Sequence, residues 1–281
     1  MKTFQFLKML TYEGIPSFDY FITTKCNLNC CGCRDKSPIS DPWFVSTEQF
    51  LHDQEQLIRI GLGSVPITLY GGEPLVHPNI VELIKESKMK LGILTNGLGL
   101  LNQPPEFFEL LLEKNIKVHI SVYNRSLIPY DKIFKLLDSK GINYLNADID
   151  PKMVNKEKVL GKYCKNHFIL SRIDPKGLYN KAEQYKRCCS LYPVIQNNKL
   201  FHCLTHNDLV LNDKFGLNLK FVEGTDYIHL DRVKNFGEIY SFLRKIPDYC
   251  RFCGSDGLEN PNNEIILWKY SNRDKSEWVK Y

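Results

Sequence analysis

Long apolar runs are missing from this 281-residue sequence. A helix that crosses a bilayer needs about 18 consecutive apolar residues, and even the most apolar window, Leu91 to Leu101, contains Thr, Asn and Gly. The first eight residues interrupt their apolar run with Lys and lead to no small-residue cleavage site, so they are not typical of a signal peptide. We therefore expect a cytoplasmic protein that contacts no membrane.

An excess of one charge is also missing. The 37 Lys and Arg side chains exceed the 32 Asp and Glu side chains by only five, and they are dispersed along the chain. Such a balance predicts no nucleic-acid partner, although it suits a small anionic ligand. Internal repeats and low-complexity segments are absent, which excludes a solenoid, and 43% hydrophobic residues are typical of a globular chain.

Cysteine, by contrast, is abundant: the chain has ten, beside only four Met and three Trp. In a reducing cytosol, thiols are metal ligands or catalytic groups more often than disulfide partners. Nine of them form two groups, separated by a long body that contains only one cysteine. The ten are Cys26, Cys30, Cys31 and Cys33; then Cys164; then Cys188, Cys189, Cys203, Cys250 and Cys253.

The body of the chain alternates short β-rich runs with amphipathic helical patterns, which is typical of βα units around a parallel sheet. Strands are predicted at Phe18–Thr23, Pro66–Tyr70, Lys90–Thr95, Lys117–Val122, Ile142–Asp148 and His167–Arg172. Helices are predicted at Thr47–Ile60, Asn79–Lys88, Glu106–Lys114 and Tyr130–Lys140. This alternation predicts the α/β fold class. Because crossovers of this kind are right-handed, six such units are expected to curl into a partial (βα)6 barrel over residues 1–175.

Beyond residue 175 the alternation stops, and residues 176–281 are predicted to form a small C-terminal domain. A β-hairpin is expected at Val194–His202, where Asn197 and Asn198 suit the positive φ of a tight turn. One helix is expected at Phe236–Arg244 and one strand at Ile265–Trp268.

The first cysteine group directly follows the first predicted strand. Spacings of three and two residues let one loop place Cys26, Cys30 and Cys33 around a single small cluster, and thiolates are the ligands of iron–sulfur clusters. Three ligands leave one iron of a 4Fe-4S cluster open to an external ligand. Structural zinc usually takes four ligands in two separated pairs, so zinc and incidental thiols are the alternatives.

These residues resemble the radical S-adenosylmethionine (SAM) superfamily, whose cluster motif is Cys-x3-Cys-x2-Cys. Further motifs of that family follow the next predicted strands over roughly the first 170 residues. The resemblance implies a SAM-binding 4Fe-4S cluster on Cys26, Cys30 and Cys33. It also implies that SAM contacts a second set of residues. These are Gly71, Gly72, Glu73, Pro74, Asn96 and Ser121.

Two departures from the family pattern lie inside the cysteine loop. The family usually has an aromatic residue just before the last cysteine, whereas this chain has Gly32, so contact with the adenine must come from the backbone or from other side chains. Cys31 adds a fourth thiol. Because adjacent residues do not easily point at one iron, Cys31 is expected to be a bystander.

The second cysteine group resembles the shortened auxiliary-cluster domain called twitch, a short form of the SPASM domain. The resemblance implies a second 4Fe-4S cluster, closed by four ligands. The expected ligands are Cys189, Cys203, Cys250 and Cys253, with Cys188 as the alternative to Cys189. From spacing alone, a structural zinc site is equally compatible.

Other residues near these groups carry weaker predictions. The cysteine that is not a ligand, taken as Cys188, is a candidate hydrogen-atom donor beside Cys164 and Cys31, and Arg172 is a candidate for binding a substrate anion. For each of these cysteines the alternative is a buried structural role, and for Arg172 it is a surface ion pair. His202, His206, Asp208 and the stretch from Glu223 to Tyr227 lie around the second group. They are expected to be solvated loop residues, and the alternative is that they line a substrate pocket.

The expected activity is that of a radical SAM oxidoreductase or epimerase that abstracts hydrogen from a carbohydrate or cyclitol. Its partners would be an anionic or nucleotide-linked sugar and a one-electron donor such as flavodoxin or ferredoxin. A radical SAM enzyme that modifies a peptide is the alternative within the enzyme class. From another class, a non-catalytic iron–sulfur or zinc-binding scaffold is the alternative.

Overall fold

The computed structural model describes residues 17–123, 126–146, 167–170, 172–188, 192–254 and 264–280. The strands are β1 (Phe18–Thr23), β2 (Ile67–Gly71), β3 (Leu91–Thr95), β4 (Lys117–Ile120), β5 (Tyr144–Asn146), β6 (His167–Leu170), β7 (Val194–Gln196), β8 (Lys199–Phe201), β9 (Tyr227–His229) and β10 (Glu264–Leu267). The α-helices are α1 (Thr47–Arg59), α2 (Ile80–Glu86), α3 (Pro105–Glu113), α4 (Tyr130–Lys140), α5 (Lys181–Arg187), α6 (Val210–Phe215) and α7 (Phe236–Leu243).

Eight strands form one sheet in the order β5-β4-β3-β2-β1-β7-β8-β9. Strands β1 to β5 are parallel neighbours, with a helix between each successive pair, and β7 adds a parallel strand on the other side of β1. The antiparallel strands β8 and β9 then extend that edge. The sheet does not close on itself, so the predicted α/β class with a partial barrel is confirmed.

The sixth predicted barrel strand takes a different place. Within the described residues, β6 lies outside the large sheet and pairs antiparallel with β10 in a sheet of two strands. The apolar strand near the C-terminus supplies its backbone partner, whereas β7 occupies the free edge of β1. The predictions for Cys164 and Cys189 fall outside the described residues. The division into domains at residue 175 stays a prediction.

The two faces of β1 show how the sheet is held. Phe18, Tyr20 and Ile22 are fully buried in the core that also contains the apolar faces of the helices. Phe21 points to the other face and clusters with Tyr70 and other buried side chains. Each such burial contributes about 1.5 to 3 kcal/mol. Because neighbouring parallel strands end at one edge, the motifs that follow β1 to β4 meet there.

Asp53 of α1 connects three parts of the fold. Its buried carboxylate accepts hydrogen bonds from the Tyr20 hydroxyl at 2.7 Å, the Gln49 side-chain amide at 2.7 Å and the Asn198 backbone at 3.1 Å. Asn198 lies in the hairpin turn with φ +60°, and Asn197 has φ +48°, as the sequence predicted. The helix, the first strand and the hairpin therefore share one buried acceptor.

We expect Asp53→Ala to lower the free energy of unfolding by about 3 kcal/mol, because it leaves buried donors without an acceptor. The matched control is Glu55→Ala on the same helix, which removes only the exposed ion pair with Lys88. That variant should change stability by less than about 1 kcal/mol. Urea unfolding of both variants measures the difference, and equal losses would show that Asp53 has no special role.

Candidate active site

The loop that carries the first cysteines is fixed by close backbone contact with the loop after β2. The Gly72 amide donates to the Thr23 carbonyl at 2.8 Å, and the Glu73 amide donates to the Lys25 carbonyl at 2.9 Å. A Cβ atom at Gly72 would lie only 2.4 Å from the Lys25 oxygen, and one at Gly71 only 2.3 Å from the Thr23 oxygen. These glycines therefore let the loop after β2 lie close to the backbone of Thr23 and Lys25. Contact of either glycine with SAM stays a prediction.

The Glu73 carboxylate lies buried between the ends of β2 and β3. It accepts hydrogen bonds from the Leu75 amide at 3.0 Å, the Thr95 hydroxyl at 2.5 Å and the Asn96 amide at 2.8 Å. Burial raises the pKa of Glu73 to about 7, although these three donors favour the ionised form. A carboxylate has about four lone-pair sites, so one site remains for a further donor. Pro74 begins the short 3-10 turn that follows.

Asn96 extends this network to the cysteine loop. Its side-chain amide donates to the Asn27 side chain at 2.8 Å and lies 4.0 Å from the sulfur of Cys26. Ser121 follows β4, and its carbonyl accepts the Tyr130 hydroxyl at 3.1 Å. Two of the residues assigned to SAM by resemblance thus lie at the ends of neighbouring strands, and Asn96 is next to the first cysteine group.

Hydrogen-bond donors are directed at all three predicted ligands of the first cluster. The Leu28 amide donates to the Cys26 sulfur at 3.3 Å, and the Trp268 indole N–H donates to the Cys30 sulfur at 3.1 Å. Backbone groups of two following residues bond to Cys33. Donors of this kind stabilise the negative charge of thiolates and tune iron–sulfur clusters. The donor set therefore fits such a cluster.

Burial raises the pKa of each of these thiols, that of Cys33 to about 12, and the neighbouring thiols add to the effect at Cys26 and Cys33. The thiolate state thus depends on a bound cation, which deprotonates a coordinating thiol. Within the part of the chain that the structure describes, no three Cys, His, Asp or Glu side chains form a site for a single metal ion. In a 4Fe-4S cluster each thiolate binds its own iron.

Cys31 and Gly32 face a different neighbour. Cys31 is buried, and its pKa rises to about 11 because of that burial and the adjacent Glu277 carboxylate. Gly32 has φ +63°, which favours glycine over an aromatic residue, and its amide donates to Glu277 at 3.2 Å. The departure from the family pattern at residue 32 therefore has a local cause. The bystander role of Cys31 stays a prediction.

Four thiols of the second group line one cavity. They belong to Cys188, Cys203, Cys250 and Cys253, and the cavity is also lined by Asp226. Burial, followed by the charges of neighbouring thiols, raises the pKa of Cys203 and of Cys250. The sequence analysis took Cys189 as the ligand and Cys188 as the free thiol. Among the described residues, Cys188 is the one of these two that lines the cavity.

The expectation of solvated loop residues near this cavity is wrong. His202 lines it, and its ring lies 4.1 Å from that of Phe242. His206 is buried, with its ring 4.5 Å from that of Phe21, and burial lowers the pKa of each histidine to about 3. The apolar residues around both histidines in space come from distant parts of the chain, which a local sequence pattern does not reveal.

Asp208 is likewise buried, and it connects the two cysteine groups. Its carboxylate pairs with Lys36, three residues after Cys33, and accepts the Tyr249 hydroxyl at 3.1 Å. Tyr249 precedes Cys250 in the chain. The sequence analysis missed Lys36 and Tyr249, because neither belongs to a motif.

Arg172 contacts the C-terminal part of the chain. Its Nε donates to the Ser276 carbonyl at 2.5 Å, and its charge lies near Cys31. The Arg172 guanidinium thus joins the loop after β6 to the C-terminal part of the chain. Its contact with a substrate anion stays a prediction.

Asp19 of β1 should make the stability of the protein depend on pH. Burial, with a further contribution from Asp35, raises the pKa of Asp19 from 3.8 to about 7. The folded protein therefore binds more protons than the unfolded chain between these values, and stability should fall as the pH rises from about 4 to about 7. We expect Asp19→Asn to flatten that fall, in urea unfolding across this range. Asp131→Asn, on an exposed position of α4, should leave it unchanged; an unchanged slope in Asp19→Asn would contradict the assignment.

The open α/β barrel thus carries a three-cysteine loop against a Gly-Gly-Glu-Pro turn. Residues 20–150 match the family model described as the Radical SAM superfamily. The matched range contains Cys26, Cys30 and Cys33 together with Glu73 and Asn96. No helix among the described residues is both long and apolar enough to cross a membrane.

Several known proteins are similar over most of the chain. The GTP 3′,8-cyclase of Clostridium perfringens (strain 13 / Type A) is 25% identical over 272 residues, which cover 89% of this chain and 80% of the relative. The enzyme of the same name from strain SM101 / Type A is 29% identical over 289 residues, with the same two coverages. The crystal structure of BtrN in complex with AdoMet and 2-DOIA covers 94% of this chain and 98% of that chain, at 13% identity and a TM-score of 0.49.

The predicted substrates are wrong. The relatives are named for GTP, and not for the carbohydrate, cyclitol, peptide or nucleotide-linked sugar expected from the sequence. The same names favour an enzyme over a non-catalytic scaffold. The error has a plain cause: a mild net positive charge suits any anionic ligand and does not distinguish a sugar from a nucleotide.

Proposed function

We propose that this protein is a radical SAM enzyme that acts on a guanosine nucleotide, with GTP as the first substrate to test. The observation that carries the proposal is the three-thiol loop, which is held against the buried carboxylate of Glu73 and the side chain of Asn96. Two relatives named GTP 3′,8-cyclase, each matching 89% of the chain, support the substrate class.

In this proposal Cys26, Cys30 and Cys33 hold the first cluster. When bound there and reduced, a 4Fe-4S cluster supplies the electron that cleaves SAM to methionine and a 5′-deoxyadenosyl radical. Glu73 has one free lone-pair site for the ammonium group of SAM, and Asn96 fixes the loop beside Cys26.

Gly71, Gly72 and Pro74 have a different part. Gly71 and Gly72 let the loop after β2 lie against the backbone of Thr23 and Lys25, and so they place Glu73. Pro74 begins the short turn that follows. Ser121, at the end of β4, completes the proposed SAM contacts, and this role is carried over from the resemblance.

We also propose a second 4Fe-4S cluster in a twitch-type domain. Its ligands would be Cys188, Cys203, Cys250 and Cys253, since these four line one cavity. A cluster closed by four protein ligands is suited to electron transfer or structural support. A small electron-transfer protein such as flavodoxin or ferredoxin would reduce the first cluster. The oxidoreductase or epimerase type stays a prediction, tested by whether the product is more oxidised than the substrate.

Substrate choice is tested with deuterium-labelled nucleotides under anaerobic, reducing conditions with SAM. If the protein abstracts hydrogen from GTP, deuterium from labelled GTP will appear in 5′-deoxyadenosine, and GTP will be consumed. UTP labelled in the same way is the control and should transfer none. Equal SAM cleavage with and without GTP, and no deuterium transfer, would contradict the proposed substrate.

A further inference from the structure

The last described segment of the chain lies against the first cysteine loop. We call residues 268–280 the C-terminal segment. Its Lys269 carbonyl accepts the Cys31 amide at 3.0 Å, and its Ser271 amide donates to the Asn29 carbonyl at 2.8 Å. These contacts join residues more than 200 positions apart in sequence. The C-terminal segment is therefore part of the wall of the first cysteine site.

Two anchors hold the C-terminal segment in place. The Trp278 indole N–H donates to the Cys33 carbonyl at 2.8 Å, and the side chain is almost fully buried. Glu277 forms a capping box with Asp274 and accepts the Gly32 amide at 3.2 Å. Both anchors bond to the backbone of the cysteine loop.

Trp268 differs from these anchors because it donates to a sulfur. Its indole N–H lies 3.1 Å from the Cys30 sulfur, and this hydrogen bond favours the thiolate, lowering a thiol pKa that burial raises. The Trp268 ring also packs edge-to-face against that of Tyr270, with ring centroids 4.9 Å apart. An N–H bond to a thiolate strengthens as the negative charge on the sulfur grows. Such a donor favours the reduced form of a cluster ligated by that sulfur.

We propose that Trp268 is a positioning residue that raises the reduction potential of the first cluster through its hydrogen bond to Cys30. The inference rests on the proposed function, in which Cys26, Cys30 and Cys33 hold that cluster. The segment brings to the loop an aromatic N–H donor that the loop itself does not carry.

The test compares cluster potentials in a background that lacks the second cluster, made by Cys250→Ala with Cys253→Ala. We expect Trp268→Phe to lower the ratio of reduced to oxidised first cluster at a fixed potential on the order of tenfold, which is about 59 mV for a one-electron couple. Electron paramagnetic resonance during a redox titration measures it. Trp268→His, which retains a ring N–H, should restore much of the ratio.

Trp278→Phe is the matched control, because it removes an indole N–H from the same segment that bonds to a carbonyl and not to a sulfur. It should lower stability and leave the potential unchanged. Equal potentials in the Trp268→Phe variant and its background would overturn the proposal. So would an equal shift in both tryptophan variants, since that would indicate a general effect of loosening the segment.

A second measurement uses the wild-type protein and so does not depend on the folding of a variant. With 15N-labelled tryptophan, electron–nuclear double resonance of the reduced first cluster should show a coupled indole nitrogen and an exchangeable proton. Absence of both couplings would overturn the role of Trp268 while leaving the cluster assignment intact. A first site that takes up no iron at all would overturn the proposed function as well, so the two failures are distinguishable.

Discussion

We expect replacement of Cys30 with Ala to lower the iron content of the anaerobically reconstituted protein from about eight to about four atoms per chain, and to abolish cleavage of SAM. In the proposed assignment Cys30 is one of the three thiols that hold the first cluster. We expect that the adjacent Cys31 does not replace it, because Cys31 is buried beside Glu277. Iron determination and mass spectrometry of 5′-deoxyadenosine measure the two effects.

The neighbouring thiol provides the control for this result. Cys31→Ala removes a thiol from the same loop, only one residue away, and should retain about eight irons and cleave SAM. If Cys31→Ala lost iron to the same extent as Cys30→Ala, the division between ligand and bystander would be wrong. A Cys30→Ala variant that still cleaved SAM would contradict the first site itself.

The second large effect is expected at Gly72. A methyl group there would lie 2.4 Å from the Lys25 carbonyl oxygen, and backbone atoms cannot move aside as a flexible side chain would. Gly72→Ala should therefore lower the free energy of unfolding by about 3 kcal/mol. It should also displace the loop that carries Cys26, so that the first cluster is lost together with SAM cleavage.

Gly92→Ala in the adjacent strand β3 is the control, since its added methyl would be 3.4 Å from the nearest atom, the Thr68 hydroxyl oxygen. We expect it to change stability by no more than about 1 kcal/mol and to keep the iron. Urea unfolding and iron determination compare the two variants. A Gly72→Ala protein with normal stability and iron content would show that the close approach at this turn is not required.

Local patterns in the sequence were sufficient for the first five strands of the barrel and for the helices between them. Strand β1 and helix α4 have the predicted bounds. The positive φ at Asn198 was also predictable, because Asn tolerates this conformation. These features depend on residues that are close in sequence.

Contacts between distant residues were not predictable in the same way. The antiparallel pairing of β6 with β10 and the bond from Trp268 to Cys30 join segments about 100 and 240 residues apart, and no local pattern encodes such a partner. The burial of Asp208 has the same origin, since its partners Lys36 and Tyr249 lie far apart in the sequence.

The central claim is that the first cysteine site cleaves SAM by one-electron reduction. Its most direct test is the formation of 5′-deoxyadenosine by the anaerobic wild-type protein with dithionite and SAM, measured by mass spectrometry. The account predicts 5′-deoxyadenosine and methionine in equal amounts, together with a brown protein that contains about eight irons per chain. A colourless protein with stoichiometric zinc that forms no 5′-deoxyadenosine would contradict it.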